Sequence, residues 1–257
     1  MNVHYSGDSP PKKIARLRFW EAVEDILGAK SFSRGPHLVI SSKEGGDISV
    51  LLGMGVRADH IIAVDTDPHA VAAARVKFEG VRIERCDFAQ MAKENTPLAC
   101  MFVDLCSPIR SGSLEKIMRA SSHCLLFGYE FLCGREKVDV YRKIEKFQGT
   151  SQEQRIRYLA DSPVKGVHYK PARNWHYLSS TESHIGKPMC ITLGSSVQAV
   201  RKGPAAVMTS KPVEATWDTI REEALDLEAK GLRADLLLNI KRTTLAAYKA
   251  HLTRGTY

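Results

Sequence analysis

Three stretches that read as strands end in aspartate: Asp65 ends HIIAVD, Asp87 ends VRIERCD and Asp104 ends LACMFVD. A carboxylate at the carboxyl end of a strand can accept hydrogen bonds from two adjacent ribose hydroxyls, orient a nucleophile or take a proton. The competing reading is that Asp65 and Asp67 only cap the helix that follows, and that Asp104 caps its turn. Cys106 stands two residues beyond Asp104. It is a candidate nucleophile, which would have to react as the thiolate. Otherwise it is a small residue packed at a strand end.

A second set of candidates is basic. In YKPARNWHYLSSTESH, Tyr169, Trp175, His176 and Tyr177 are interleaved with Lys170 and Arg173. Aromatics among cations suit stacking on bases and contact with phosphates, although alternate aromatics also suit the core side of a strand. Between Lys241 and Gly255 there is no acidic residue, against Lys241, Arg242, Lys249 and Arg254. The whole chain has a formal net charge of +8 over 257 residues. That charge favours a polyanionic partner, nucleic acid before an acidic membrane.

The elements that must position these residues follow from pattern. A helix is expected over 11–29, with Lys12, Lys13, Arg16 and Arg18 crowding its start. Strands are expected at 37–41, 60–65, 81–87, 98–105 and 121–131, alternating with helices. Asp67 suits an N-cap and Pro68 a first helical position. Residues 111–121 read as a helix capped by a serine, and 134–173 as helical and basic. NWHYLSS and KPMCITLG read as an antiparallel pair at the end of the sheet. Strands alternating with helices imply an α/β fold, a Rossmann-like doubly wound, mostly parallel sheet. Parallel strands share a carboxyl end, so all three aspartates should lie on one edge.

Six cysteines are scattered with no C-x-x-C pair. They read as free thiols in a reducing cytoplasm, with no metal site. No apolar signal core opens the chain, and no run is long enough to cross a membrane.

At this point the chain resembles the class I S-adenosylmethionine-dependent methyltransferases over roughly 35–195. HIIAVDTDPHAVAAAR is similar to the family's second-strand motif, RCDF to the third and FVDLCSP to the fourth. The strand pair WHYLSS and MCITLG is similar to its reversed last strand. The resemblance implies S-adenosyl-L-methionine as cofactor. It puts the ribose on Asp65 beside Thr66, the adenine amino group on Asp87 beside Phe88, and Asp104 near the reacting methyl, with Asp104 and Cys106 as catalytic candidates. The glycine loop departs from the family: VISSKEGGD keeps only Gly45 and Gly46, so Ser41, Ser42 and Glu44 fill out the cofactor loop. Gly46 lies 19 residues before Asp65, close to the roughly 20-residue interval of nucleotide-binding units.

After a linker at 196–213, residues 214–257 resemble a helix-turn-helix: TWDTIREEALDLEAKGL, the short RADLLLN, and RTTLAAYKAHLTRG. Leu236, Leu237 and Ile240 would pack with Leu245 and Tyr248, and Asn239 would replace the usual turn glycine. Lys241, Arg242, Thr243, Thr244, Lys249 and Arg254 would face DNA. The competing reading is a small helical hairpin docked on the main domain. The chain thus divides into an N-terminal helical extension (1–34), a methyltransferase-like domain (35–195), the linker and this all-α module. Two functions follow. One is a methyltransferase acting on nucleic acid, DNA before RNA, with room for a homodimer. The other is a catalytically inactive member of the fold that binds DNA in a regulatory or packaging role.

Overall fold

The three stretches that end in acid belong to one sheet, two of them adjacent and the third one strand away, and the segments between them cover both of its faces. The computed structural model describes residues 9–95, 97–161, 164–165, 167–178, 186–198, 215–238 and 242–253. In chain order the elements are α1 (Pro10–Leu27), α2 (Ala29–Arg34), β1 (His37–Ile40), α3 (Gly46–Gly53), β2 (Ile61–Asp65) and α4 (Pro68–Lys77). Then come β3 (Arg82–Arg85), α5 (Phe88–Glu94), β4 (Leu98–Pro108), α6 (Ser111–Ala120), β5 (Cys124–Leu132), α7 (Val138–Ile144) and α8 (Ser151–Ala160). The chain continues through β6 (Val167–Leu178), β7 (Pro188–Gln198), α9 (Trp217–Ala229), α10 (Ala234–Leu237) and α11 (Arg242–Thr253).

The sheet order is β3-β2-β1-β4-β5-β7-β6. Strands β1 to β5 are parallel, and β7 runs antiparallel to both of its neighbours, β5 and β6. The chain leaves β1 for β2 on one side and returns to β4 on the other. That reversal leaves a crevice at the carboxyl ends of β1 and β4, where open α/β sheets bind ligands. The fold is Rossmann-like, as its pattern predicted.

Two apolar cores flank the sheet. One joins α1, α3, α4 and α9 to the strands through Leu17, Phe19, Val23, Ile48, Val71 and Ile220. The other joins α5 to α8 through Met91, Ile117, Val140 and Ile156. Helix α1 is built into the first core. Its Phe19 ring lies 4.5 Å from that of Phe102 in β4, and a Cβ at Gly128 of β5 would come 2.3 Å from the Phe19 ring. Glycine in β5 lets α1 lie directly on the strands.

Several expectations are corrected. The first helix stops at Leu27, because Gly28 turns the chain with φ 76°, and α2 follows. Helix α6 has Arg110 at its N-cap with no side-chain cap, and Ser111 is its first residue rather than its cap. The stretch 134–173 is helical only through α7 and α8. From Val167 it is strand β6, whose residues alternate between buried and accessible. The antiparallel pair expected at the end of the sheet is there, with β7 inside and β6 forming the edge. No helix among the described residues is long and apolar enough to cross a membrane, and no group of His, Cys, Asp or Glu among them is placed to hold a metal.

Candidate active site

The loop after β1 is shaped by local hydrogen bonds. Ser41, buried, donates its backbone N–H to Val64 O at 2.7 Å, which ties the loop to β2. Ser42 Oγ accepts from Gly45 N at 3.1 Å. Gly45 then adopts φ 60°, and a Cβ there would sit 2.1 Å from the Phe78 ring. A left-handed turn against an aromatic ring suits glycine. Gly46 opens α3, while Ser42 and Glu44 are exposed, and Lys77 of α4 donates to Glu44 O at 2.6 Å.

Asp65 sits half-buried at the end of β2. Its carboxylate accepts backbone N–H groups, Asp67 at 2.9 Å and Thr66, and no cation pairs with it among the described residues. Burial raises its pKa, and the backbone donors pull it back. The N-cap of α4 is Asp67, which accepts from His69 N at 2.9 Å, with Pro68 as the first helical residue. Capping therefore falls to Asp67 and leaves Asp65 facing the edge. Thr66 is exposed.

Asp87 is the N-cap of α5. One oxygen accepts from Ala89 N at 2.9 Å, and the other pairs with Lys116 of α6. Phe88 is buried in the second core, with the Lys116 ammonium 5.5 Å from its ring centre.

Asp104 belongs to a buried charge cluster assembled from α1, α3, β4, β5 and β6. Lys12 Nζ lies 2.6 Å from Asp104 Oδ2 and 3.5 Å from Glu130 Oε1. Arg16 Nη2 lies 3.8 Å from Asp104 Oδ2, and Arg16 Nε lies 3.1 Å from Asp47 Oδ1. Trp20 Nε1 donates to Asp47 Oδ1 at 2.9 Å, and Tyr177 OH donates to Glu130 Oε1. Glu130 has no exposed surface, and its Oε2 has no hydrogen-bond partner among the described residues. Burial, then the nearby Asp104, push Glu130 up to about 7, against the pull of Lys12, Tyr177 and Arg16. Burial thus favours the protonated, neutral form of this carboxyl.

The sequence reading missed Lys12, Arg16, Asp47, Glu130 and Tyr177 as site residues. Signals existed. Lys12, Arg16 and Trp20 recur at four-residue spacing, which stacks them on one helical face. Glu130 is a lone acid in the apolar run LLFGYEFL, and such an acid must be paired or neutral.

The remaining candidates are dispersed. Cys106 lies in β4, and its side chain is outside the described part. Among the other cysteines, burial raises Cys124 and Cys133 to about 12, which leaves them poor nucleophiles. Tyr169 and Tyr177 are buried and cannot stack on a base; Trp175 packs edge-on against Phe19, ring centres 5.9 Å apart. Lys170 is exposed, and Arg173 pairs with Asp25 of α1 at 3.0 Å. At the C-terminal end, α10 docks on α3: a Cβ at Gly53 would meet Leu237 at 2.9 Å. Leu245 is buried, Arg242 and Thr243 are exposed, Thr244 is half-buried, and Lys249 pairs with Glu228 of α9. Lys241, Arg254, Asn239 and Ile240 lie outside the described residues.

No family model matches the chain, and no curated protein matches it. Solved structures do resemble it. A protein of Pyrococcus horikoshii described provisionally as an RNA methyltransferase is 16% identical, with 70% of this chain and 82% of that chain covered and a TM-score of 0.44. A TehB-like SAM-dependent methyltransferase from Corynebacterium glutamicum is 12% identical over 71% and 88%, with a TM-score of 0.41. An O-methyltransferase from Bacillus cereus in complex with SAH is 12% identical over 74% and 83%, with a TM-score of 0.42. At these values the likeness is one of broad architecture.

Proposed function

We propose that the chain is a class I S-adenosylmethionine-dependent methyltransferase whose acceptor is a nucleic acid, DNA before RNA. The observation that carries this reading is Asp65. It is a half-buried carboxylate at the crevice edge, set on backbone donors and free of any paired cation among the described residues. Across the same edge Gly45 makes the left-handed turn of the loop, packed against the Phe78 ring.

The residues fit the cofactor. Asp65 would hold the ribose diol, Gly45 and Gly46 would lie against the cofactor's backbone-facing side, and Ser41, Ser42, Glu44, Thr66 and Phe88 would complete the surroundings. Asp87 would exchange Lys116 for the adenine amino group. The cofactor supplies an electrophilic methyl on a sulfonium. Asp104 would orient the acceptor, its charge held in place by Lys12. Cys106, two residues further along β4, is the candidate nucleophile for a carbon acceptor. Transfer then rests mainly on positioning, and a base within a duplex would have to be flipped out. The reduced state of the buried cysteines suits a cytoplasmic setting.

A second reading is favoured by the cations already seated on two of the three acids, Lys116 on Asp87 and Lys12 on Asp104. In it the fold is a scaffold without catalysis, and binding of DNA is the function.

Calorimetry of the whole chain with S-adenosylmethionine and S-adenosylhomocysteine separates the two. The expected result is micromolar binding. Two hydrogen bonds to a charged group contribute about 1.5–3 kcal/mol each, so Asp65→Ala should weaken it by roughly 100-fold or more. No binding by demonstrably folded protein overturns the enzyme reading.

A further inference from the structure

The carboxyl ends of β4 and β5 carry a feature apart from the Lys12 cluster. Strand β4 runs out at Pro108, paired with Leu132 at the end of β5. Two residues beyond Pro108, Arg110 is the exposed N-cap of α6. Three residues beyond Leu132, Arg135 is exposed, and Lys137 is the exposed N-cap of α7. Adjacent parallel strands deliver these cations to one edge, the edge that holds Asp104.

None of the three has an ion pair or a side-chain hydrogen bond among the described residues. Arg18, Arg57, Arg119, Arg173, Lys230 and Lys249 each pair with a carboxylate instead, whereas Lys43, Arg142, Lys143 and Lys170 are exposed and likewise without an ion pair among the described residues. What marks out these three is their place at the ends of β4 and β5. The acids close by in sequence do little to neutralise them. Glu136 is taken by Arg155, and Asp139 stands exposed in the first turn of α7.

Arg135 also has φ 62°, the sole positive value at a non-glycine position among the described residues. A left-handed arginine is strained, and it persists only where the surroundings over-determine it. Here they do. Glu136 accepts from Arg155 Nε at 2.6 Å and Nη2 at 2.7 Å, and from Gly134 N at 3.2 Å. Arg155 Nη1 is fixed in turn on Ser151 O and Oγ, both at 2.6 Å. The Glu136 and Arg155 side chains are 0% and 3% exposed, so a buried, bidentate ion pair pins the turn. Glycine would fit Arg135's conformation without strain; an exposed cation stands there instead.

We infer that Arg110, Arg135 and Lys137 grip the phosphate backbone of the acceptor and hold its nucleotide on the edge that carries Asp104. This rests on the nucleic-acid reading above. Guanidinium forks suit phosphate oxygens, and phosphate contacts fix register without reading sequence.

The test is fluorescence anisotropy of labelled single-stranded DNA, single-stranded RNA and duplex DNA with the whole chain, from about 50 to 200 mM salt. The variants are R135G and the triple change R110Q/R135G/K137Q. The triple variant should bind at least about tenfold more weakly, and its slope of log affinity against log salt should be shallower by about 2–3, near one per lost phosphate contact. R135G alone should be shallower by about 1 and yet melt about 2–4 °C higher, because its backbone strain is relieved. Unchanged affinity and slope in the triple variant overturn the proposal. So does a site for small phosphates alone, seen as binding of inorganic phosphate that the triple change abolishes while oligonucleotide affinity stays the same. Calorimetry with S-adenosylmethionine on the same proteins keeps the two readings apart: absent cofactor binding in the wild type defeats the enzyme reading and leaves the oligonucleotide result standing.

Discussion

Two lysine–aspartate pairs sit on the same edge of the sheet, and they are opposite in kind. At the end of β3, Lys116 and Asp87 have side chains 47% and 33% exposed. Asp104 lies within β4, which runs on past its expected end at Leu105 to Pro108; Lys12 and Asp104 are 11% and 14% exposed, with Arg16, Glu130 and Asp47 packed around them. Water screens the first pair, so a ligand atom can replace either partner at little cost. The second is largely desolvated, and each charge there depends on the other. The β1–β2–β3 half of the edge is thus suited to exchanging partners with a bound molecule. The β4–β5 half is set in place by α1 before anything binds.

The comparison breaks most sharply at the two lysines. Lys12→Met keeps the stem and removes the ammonium, leaving Asp104 and Glu130 near each other in a dry setting. A buried charge stripped of its partner costs about 3–5 kcal/mol. Lys116→Met should cost less than about 1 kcal/mol, the range of an exposed pair. Urea unfolding of both variants measures this. Equal losses would mean that the two halves of the edge do not differ in the way their burial indicates.

Protonation sharpens the same contrast from the other side. Glu130 is raised from an ordinary 4.5 to about 7, so the folded chain holds this proton more tightly than the unfolded chain does. The stability tied to the group is complete below pH 4.5 and falls as pH rises to about 7. The groups facing it are Lys12 and Arg16 of α1, Asp104 of β4 and Tyr177 of β6. Glu130→Gln still offers Tyr177 an acceptor and should flatten that fall in unfolding measured across this range. A fall that persists in the variant would assign it to another group.

The two halves were also unequally legible in the sequence. Asp65, Asp87 and Asp104 could be placed on one edge because each ends a predicted strand, and parallel strands share a carboxyl end. The cluster around Asp104 could not, because Lys12, Asp47, Glu130 and Tyr177 come from α1, α3, β5 and β6 and meet only after folding. A cation at the start of a helix reads as solvated until the helix is known to lie on the sheet. The second half of β6 was legible as the strand NWHYLSS, whereas its first half, Val167–Arg173, was hidden for a different reason. Lys170 and Arg173 obscure its two-residue alternation, and Pro171 argues against a strand. Pro171 is tolerated because β6 is an edge strand and its register with β7 shifts between Pro171 and Arg173.

The smallest expected effect separates two aspartates that sequence alone could not. Asp65 and Asp67 stand two residues apart, and either could have served as a helix cap. Asp67 does so, accepting from His69 N at 2.9 Å, while Asp65 accepts from Asp67 N at 2.9 Å. Asp67→Ala should therefore lower stability by about 1 kcal/mol, the usual loss for an N-cap. It should leave the affinity for S-adenosylhomocysteine within about twofold, since about 0.4 kcal/mol spans a factor of two. Asp65→Ala should invert the pattern, with little change in stability and loss of the ligand. Chemical unfolding and calorimetry on both variants place each aspartate on one axis or the other. An Asp65→Ala protein that lost stability and kept its ligand would return Asp65 to the structural role that its neighbour now holds.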